Sequence, residues 1–262
     1  YIAPLMVEAL PTTSTGKVQR ITLKKNISPE QFESIYDLIR TPEYKFLILD
    51  KQSPYINESA RLYNHCWQPL ALDQETYKKN LGRQFTLLAV GAAGAIAGQI
   101  AFIRTNLSSA ELLQATYATL LSPAVSNPRG KAIVCVSICS RNYEAKSIPP
   151  MPELSDAEAI RTYLHAGHDP VFNFHQRPKG GLAKGAALID VIPRGRPEDR
   201  SSLGYNMLLK YPPPAGQITI TNEGPISNQL IEATLLIARD LGLKDVYAYS
   251  RPGGLASYVS NR

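Results

Sequence analysis

The feature that most constrains the fold is a nearly uninterrupted apolar run, Ala132-Ile-Val-Cys-Val-Ser-Ile-Cys139. A run of this length without alternating polar residues predicts a strand covered on both faces, which must lie in the interior of a sheet. Residues 85–90 and 95–104 are also strand-like and flank a short Gly/Ala turn, which indicates a hairpin. Helix-like segments alternate with the strands. The sequence therefore predicts an α/β fold with a mixed sheet.

The remaining elements follow from periodicity and capping signals. Further helices are predicted from Ser28 and over residues 57–67, 73–81, 155–164, 169–175 and 230–241, and further strands over residues 115–121, 187–192, 205–211, 217–221 and 245–250. Gly242 is expected to end the helix at 230–241, with Glu232 and Asp240 on its exposed surface. Ser155 is expected to cap the helix at 155–164, with Glu158 closing a capping box.

The composition excludes several classes of protein. Hydrophobic residues make up 44% and charged residues 19% of the 262 residues, a normal globular balance. No apolar run reaches the roughly 18 residues that a membrane-spanning helix requires. The net charge of +6 is scattered, apart from a basic stretch at 17–25, so neither a membrane nor a nucleic acid is an expected partner.

The cysteines and the first residues bear on metal binding and compartment. Cys66, Cys135 and Cys139 form no CxxC pair, so no metal site is predicted, and Cys135 and Cys139, in an apolar run, are expected to be buried free thiols. The first residues lack the positively charged start and apolar core of a signal peptide. The expected location is therefore the cytoplasm.

The segment Leu10-Pro-Thr-Thr-Ser-Thr-Gly-Lys-Val-Gln-Arg20 resembles the closing motif of adenylate-forming acyl-CoA ligases and adenylation domains. In that family the lysine matching Lys17 contacts the acyl-adenylate. The resemblance covers only the start of the chain, and the nucleotide-binding body of a ligase is missing. It implies the tail of an upstream ligase domain, and the lack of an initiator Met also suggests a piece of a longer protein. The predicted division is 1–26, ligase tail and linker, and 27–262, a second domain.

Most of residues 30–262 resembles the GNAT superfamily of acyltransferases, in which a V-shaped, mixed and mostly antiparallel sheet flanked by helices admits an acyl-coenzyme A. The stretch from Asn222 to Gly242 is similar to the loop and helix that hold the coenzyme A pyrophosphate. A glycine-containing loop before a helix N-terminus also suits an anion, because backbone N–H groups and the helix dipole face the charge. The residues implied to bind the coenzyme are Gly224, Ile226, Ser227 and Asn228.

A narrower resemblance, to the GNAT-like domains of polyketide synthase loading modules, is carried by four segments. They are Asp169-Pro-Val-Phe-Asn-Phe-His175, Ile192-Pro-Arg-Gly-Arg-Pro-Glu-Asp199, Tyr247-Ala-Tyr-Ser-Arg-Pro252 and Cys66-Trp67. In those domains a His and a Thr flank the thioester carbonyl, and an Arg holds the departing carboxylate of a malonyl-type group. Matched by position, the resemblance implies His175, Ser250 and Arg196 as catalytic residues, and Trp67 and Tyr249 as walls of the substrate pocket.

These residue types suit the implied chemistry, although simpler interpretations stay open. An imidazole can donate to a thioester oxygen as an enolate develops, and a guanidinium is suited to bidentate binding of a carboxylate. Taken alone, His175 also fits a packed core histidine and Trp67 a core residue. Arg196 also fits a surface loop in which it pairs with Glu198 and Asp199.

The order of the motifs departs from the family pattern. In the family the coenzyme loop, its helix and the strand matching Tyr247-Ala-Tyr-Ser-Arg-Pro252 come before the Phe-His segment, whereas here they follow it. Either the chain is circularly permuted, or the numbering does not follow covalent order. In the second case the Cα atoms of Arg141 and Asn142 would lie well beyond the ~3.8 Å of bonded neighbours.

Three functions are compatible with these observations. The first is acyl transfer, with or without decarboxylation, from a coenzyme A thioester to an acyl carrier protein, with the carrier and an upstream adenylate-forming ligase domain as partners. The second is an acetyl-coenzyme A-dependent N-acetyltransferase acting on a small amine, which would require a general base that no Glu or Asp clearly supplies. The third is a catalytically silent docking domain.

Overall fold

The computed structural model describes residues 43–67, 70–141, 156–167, 169–176, 185–199, 202–213 and 225–253. Several predictions fall outside these ranges. They are the ligase-like tail at 1–26, the helix from Ser28, the strand at 217–221, the coenzyme-loop residue Gly224 and the junction between Arg141 and Asn142.

The described chain forms helices and strands in alternation. The strands are β1 (Tyr44–Ile48), β2 (Phe85–Gly91), β3 (Ile96–Thr105), β4 (Ala132–Ser140), β5 (Ala187–Ile192), β6 (Asn206–Tyr211) and β7 (Asp245–Ser250). The helices are α1 (Ile56–Cys66), α2 (Gln74–Leu81), α3 (Ser109–Leu112), α4 (Tyr117–Leu120), α5 (Ala157–His165), α6 (Pro170–Gln176) and α7 (Ile226–Asp240).

The strands form one seven-stranded sheet in the order β1-β2-β3-β4-β7-β6-β5. Neighbouring strands are antiparallel except for β4 and β7, which are parallel. The predicted mixed, mostly antiparallel sheet with flanking helices is confirmed. The apolar run that predicted an interior strand is β4, which has a neighbour on each side.

The sheet opens between its two parallel strands. β4 and β7 pair only from Ala132 opposite Asp245 to Cys135 opposite Ala248. Beyond that point β4 continues along β3, while β7 continues along β6 until Ser250 lies opposite Met207. The strands therefore part, and a V-shaped opening lies between their C-terminal halves. In sequence, α7 and β7 follow α6, β5 and β6, although β7 lies between β4 and β6 in the sheet.

Helix α7 packs closely against this sheet. A Cβ on Gly98 of β3 would lie 2.9 Å from the carbonyl oxygen of Cys139 and 3.2 Å from Ile226 Cγ2, so only glycine allows the first turn of α7 to approach. Gly242 ends the helix with a φ of +70°, and the N–H of Leu243 donates to the carbonyl of Ala238 at 2.8 Å, as predicted from the glycine.

Three local predictions are wrong. The predicted strand at 115–121 is absent: Tyr117–Leu120 form helix α4 instead, and Thr116 caps it by accepting from the N–H of Thr119 at 3.1 Å. The cap of α5 is Asp156, which accepts from the N–H of Ala159, rather than Ser155. Glu232 is fully buried instead of exposed, because ten of the fifteen residues of α7 are buried and the helix is covered on more than one side.

Candidate functional site

The V-shaped opening contains a small cavity of about 30 Å³, enough for a small group to enter. Four of the residues implied by the sequence line it: His175, Ser250, Trp67 and Tyr249. They come from α6, from β7 and from the residue that follows α1. The cavity floor includes Cys135, where the pairing of β4 with β7 ends. The fold therefore brings together side chains that are far apart in sequence.

His175 is placed by α6 and by the chain that returns against it. The buried carboxylate of Asp169 accepts from the N–H of Phe172 at 2.7 Å and so holds the first turn of the helix. At the other end, the N–H of Ala186 donates to the carbonyl of His175 at 2.8 Å. A Cβ on Gly185 would lie 2.0 Å from the carbonyl oxygen of Gln176, so this close approach requires glycine.

The imidazole of His175 is buried and only half satisfied. Its Nδ1 lies 2.7 Å from the hydroxyl oxygen of Tyr211, whereas Nε2 has no hydrogen-bond partner among the described residues. Burial lowers the pKa of His175 to about 4, because the charged form would lose its hydration. The ring is therefore neutral near pH 7. A buried polar atom without a partner is costly in a finished core, and here it belongs to a residue that lines a cavity, which indicates a place for a ligand.

Ser250 and Tyr249 end β7 and point to opposite faces of the sheet, since successive strand residues alternate. Ala248, two residues before Ser250, packs in the core cluster that contains α7, whereas Tyr249 packs with Tyr117 of α4. The Tyr249 hydroxyl donates to the carbonyl of Ala115 at 2.8 Å and lies 3.2 Å from that of Gly195. Tyr249 therefore contributes its ring to the cavity, while its hydroxyl is engaged elsewhere.

Arg196 is buried behind the cavity wall and is not among the residues that line it. Its Cζ lies 3.9 Å from the centre of the Tyr117 ring and 5.3 Å from that of Trp67. Its Nε donates to Glu198 at 3.2 Å, and its Nη2 lies 3.5 Å from the hydroxyl of Tyr63. The guanidinium keeps its charge inside the protein because aromatic faces and polar partners surround it. The structure thus connects Arg196 to the cavity through Trp67.

Trp67 forms the wall between the cavity and two cations. Its Nε1 donates to Cys139 Sγ at 3.2 Å, which fixes the ring. A second guanidinium, that of Arg251, lies 4.6 Å from the Trp67 ring centre and forms an ion pair with the buried Asp199 at 3.2 Å. Trp67 therefore packs in a hydrophobic core cluster and also lines the cavity. All three cysteines are free, which was predicted for Cys135 and Cys139.

Sequence reasoning missed two residues of this site. Arg251 had a signal, because it directly follows Ser250 in the motif that pointed to β7. Tyr211 had none: it is one of 14 tyrosines, and only the sheet places it beside His175.

The residues implied to bind coenzyme A lie at the start of α7. Pro225 is the N-cap and forms no side-chain cap bond. Ile226 packs over Gly98, and Asn228 is buried, so neither side chain is directed at solvent. Ser227 is half-buried. Any contact with a pyrophosphate at this end would come chiefly from backbone N–H groups and the helix dipole.

Two further searches cover only the residues that the structure describes. Within them, no group of three or more His, Cys, Asp or Glu side chains could hold a metal ion. None of the helices found there has the length and apolar character needed to cross a membrane.

Comparisons with known proteins find several similar solved structures, among them two GNAT-like domains. The chain matches no family model and no curated protein. The loading GNATL domain of CurA from Lyngbya majuscula is 19% identical, covers 64% of this chain and 96% of its own length, and has a TM-score of 0.46. The GphF GNAT-like decarboxylase in complex with isobutyryl-CoA is 20% identical, covers 62% of this chain and 96% of its own length, and has a TM-score of 0.45.

Proposed function

We propose that this protein decarboxylates a malonyl-type thioester and transfers the resulting acyl group from coenzyme A to the phosphopantetheine thiol of an acyl carrier protein. The observation that carries the proposal is that His175 and Ser250 line the same cavity, while the buried Nε2 of His175 has no hydrogen-bond partner among the described residues. A thioester carbonyl oxygen placed there would supply the missing acceptor.

The first step breaks the bond between the malonyl α-carbon and the carboxylate and releases carbon dioxide. The electron pair of that bond moves into an enolate, whose negative charge is on the former thioester oxygen. Neutral His175, with a proton on Nε2, donates a hydrogen bond to that oxygen without giving the proton up. The hydroxyl of Ser250 is the second donor, and the α-carbon then takes a proton from water. Donors held in place in a buried site stabilise such an oxyanion strongly.

The second step moves the acyl group between sulfurs. The thiol of the carrier attacks the carbonyl carbon, the thiolate of coenzyme A leaves, and the proton of the attacking thiol passes to the leaving sulfur. The oxyanion of the tetrahedral intermediate accepts hydrogen bonds from the same two donors, His175 and Ser250. The opening between β4 and β7 is the route by which a pantetheine arm reaches them, with the start of α7 available for the pyrophosphate of coenzyme A.

The guanidinium groups of Arg196 and Arg251, which contact the Trp67 ring, are proposed to bind the malonyl carboxylate. Arg196 and Arg251 both contact the Trp67 ring, so two positive charges lie at one wall of the cavity. Each guanidinium is also paired with a carboxylate, Arg196 with Glu198 and Arg251 with Asp199. Glu198 is exposed, so a malonyl carboxylate would take its place on Arg196, which is the cation that the sequence resemblance implies.

Transfer to a small amine fits the site less well. An amine must lose a proton, so an N-acetyltransferase needs a general base with a pKa near the working pH. The described residues that line the cavity include no carboxylate, and His175 has a pKa of about 4, which makes it a weak base. These properties suit hydrogen-bond donation better than proton removal.

The test is mass spectrometry of a phosphopantetheinylated acyl carrier protein incubated with the full chain and malonyl-coenzyme A labelled with ¹³C in the carboxylate. The proposal expects an acetylated carrier and release of labelled carbon dioxide. A parallel reaction contains acetyl-coenzyme A and a mixture of small amines. Acetylation of an amine alone would establish the alternative activity, and absence of any turnover would favour a docking domain.

A further inference from the structure

The hydrogen bond between Tyr211 and His175 fixes more than the position of the ring. Both side chains are buried, the ring centroids lie 6.1 Å apart at 67°, and the hydroxyl oxygen is 2.7 Å from Nδ1. Tyr211 is the last residue of β6 and lies opposite Val246 of β7, so the sheet holds its hydroxyl in place. The imidazole is therefore held from one side by a rigid element.

We propose that Tyr211 is a positioning residue that sets the tautomer of His175: its hydroxyl donates to Nδ1 and thereby keeps the imidazole proton on Nε2, the nitrogen available to a molecule in the cavity. The inference deepens the proposed function and rests on it only in naming what that proton meets, a thioester oxygen. It adds a residue that does not itself touch the reacting atoms.

The reason is the balance of donors and acceptors in a neutral ring. A neutral imidazole has one N–H and one lone pair. If Nδ1 carried the proton, it would donate to the Tyr211 oxygen, and the hydroxyl proton of Tyr211 would have no other acceptor among the described residues. If Nε2 carries it, the hydroxyl donates to Nδ1, and Nε2–H is then the buried donor without an acceptor among the described residues. Each tautomer thus leaves one such donor, and the strength of the shared bond decides between them. A phenol hydroxyl is a stronger donor than a neutral imidazole N–H, and an imidazole lone pair is a better acceptor than a phenol oxygen, so the second arrangement prevails.

The protonation states of both groups support this assignment. Burial raises the pKa of Tyr211 well above its usual value, so the hydroxyl keeps its proton and must donate it. Burial also keeps His175 neutral, since its pKa falls to about 4. A charged imidazolium, which has two N–H groups and needs no selection of tautomer, is therefore absent near pH 7.

The tautomer of His175 decides whether Nε2 presents a partial positive or a partial negative charge to the substrate. The Nε2–H tautomer presents a partial positive charge to a developing oxyanion, whereas the other tautomer presents a lone pair and repels it. Without the hydroxyl of Tyr211 the two tautomers compete, and only a fraction of the molecules carries the useful one. The loss appears in kcat rather than in KM, because the donor acts mainly on the charge that develops in the transition state.

The experiment measures the tautomer directly by ¹⁵N NMR of the full chain labelled at its histidines. The signals of His175 are identified by their loss in His175→Gln, and its ring nitrogens report which of them carries the proton. We expect Nε2–H in the unmodified protein. In Tyr211→Phe we expect at least a tenfold rise in the proportion of Nδ1–H and a fall in kcat that matches the Nε2–H fraction left, about twofold or more, with KM unchanged.

The matched control is Tyr163→Phe, which removes a buried hydroxyl of the same core cluster that forms no hydrogen bond with His175. It should leave both the tautomer and kcat unchanged. An Nδ1–H tautomer in the unmodified protein would overturn the proposal even if Tyr211→Phe failed to fold, and so would a variant that kept Nε2–H and full kcat. If the tautomer shifts in Tyr211→Phe but even the unmodified protein turns nothing over, the positioning role stands and the proposed reaction fails.

Discussion

His175 and Arg196 are equally buried, each about 4% exposed, yet the protein accommodates them in opposite ways. His175 gives up its charge: its pKa falls to about 4, and one ring nitrogen has no hydrogen-bond partner among the described residues. Arg196 cannot give up its charge and is surrounded instead by the rings of Tyr117 and Trp67, with further contacts to polar groups.

This difference in protonation suits the two residues to different tasks. His175 lines the cavity together with Trp67, whereas Arg196 contacts the Trp67 ring and does not line the cavity. A neutral imidazole with one nitrogen unpaired among the described residues can accept a new partner, whereas the Arg196 guanidinium keeps its charge and is already engaged by two rings and Glu198. Equal burial therefore does not imply equal roles, because the cost of burying a polar group depends on whether it can change its protonation state. Four measurements test this contrast.

The largest expected effect is the dependence of stability on pH. In the unfolded chain His175 regains an ordinary pKa near 6.5, so between that pH and about 4 the unfolded state binds more protons than the folded state. The free energy of unfolding should therefore fall as the pH drops through this window, by roughly 3 kcal/mol from this residue. Arg196 stays charged throughout and contributes no slope there.

Urea unfolding of the unmodified protein and of His175→Gln at pH values from 7 to 4.5 measures this slope. The variant should have the flatter profile, whereas the control His65→Gln, which replaces an exposed histidine on α1, should not alter it. An equally steep profile in His175→Gln would show that other groups cause the acid sensitivity.

The next effect is on turnover. His175→Ala should lower the rate of decarboxylation and acyl transfer by about 10²-fold or more, a size typical for losing a positioned donor. The chain should remain folded, because α6 is held by Asp169 and by the return of Ala186 rather than by the imidazole. Single-turnover kinetics and circular dichroism check the two halves of this prediction. A rate within threefold of normal would refute the role of His175.

Arg196→Lys should have a smaller and more selective effect. Lysine keeps the charge but cannot stack a planar cation between Tyr117 and Trp67. Turnover of malonyl-coenzyme A should fall about tenfold, since one buried cation–π contact is worth on the order of 1–2 kcal/mol. Transfer from acetyl-coenzyme A, which has no carboxylate, should change by less than about twofold.

The comparison of the two substrates is the measurement, and Arg161→Lys, on the surface of α5, is the control. Equal losses on both substrates would mean that Arg196 only supports the fold around Trp67.

The smallest effect is expected at Ser250. Ser250→Ala should slow turnover by about fivefold, in line with the loss of one hydrogen bond. Ser250→Thr should retain most of the activity, because the hydroxyl is kept at the end of β7. Comparison of kcat for the two variants provides the check. If both variants lost the same activity, packing rather than hydrogen bonding would explain the position.

Much of the fold could be predicted because its signals are local. The unbroken apolar run of β4, the turn between β2 and β3, and Gly242 at the end of α7 each act within a few residues. Prediction failed where distant packing decided the outcome. Residues 115–121 look strand-like in composition, yet Tyr117–Leu120 are helical, and Tyr117 and Leu120 are buried against residues of distant elements. Burial of Glu232 likewise depends on what covers α7, which no window of sequence contains.

The sequence by itself determined which residue types were available to the site: a histidine after an aromatic residue, a hydroxyl at a strand end and an arginine in a polar loop. Only the tertiary structure decided that His175 and Ser250 share a cavity while Arg196 lies behind Trp67. It also placed Tyr211 on His175. The physical reason is that hydrogen bonding and desolvation depend on distances of a few ångströms between side chains from different elements. Those distances arise only when β4 and β7 pair, part and leave a space between them.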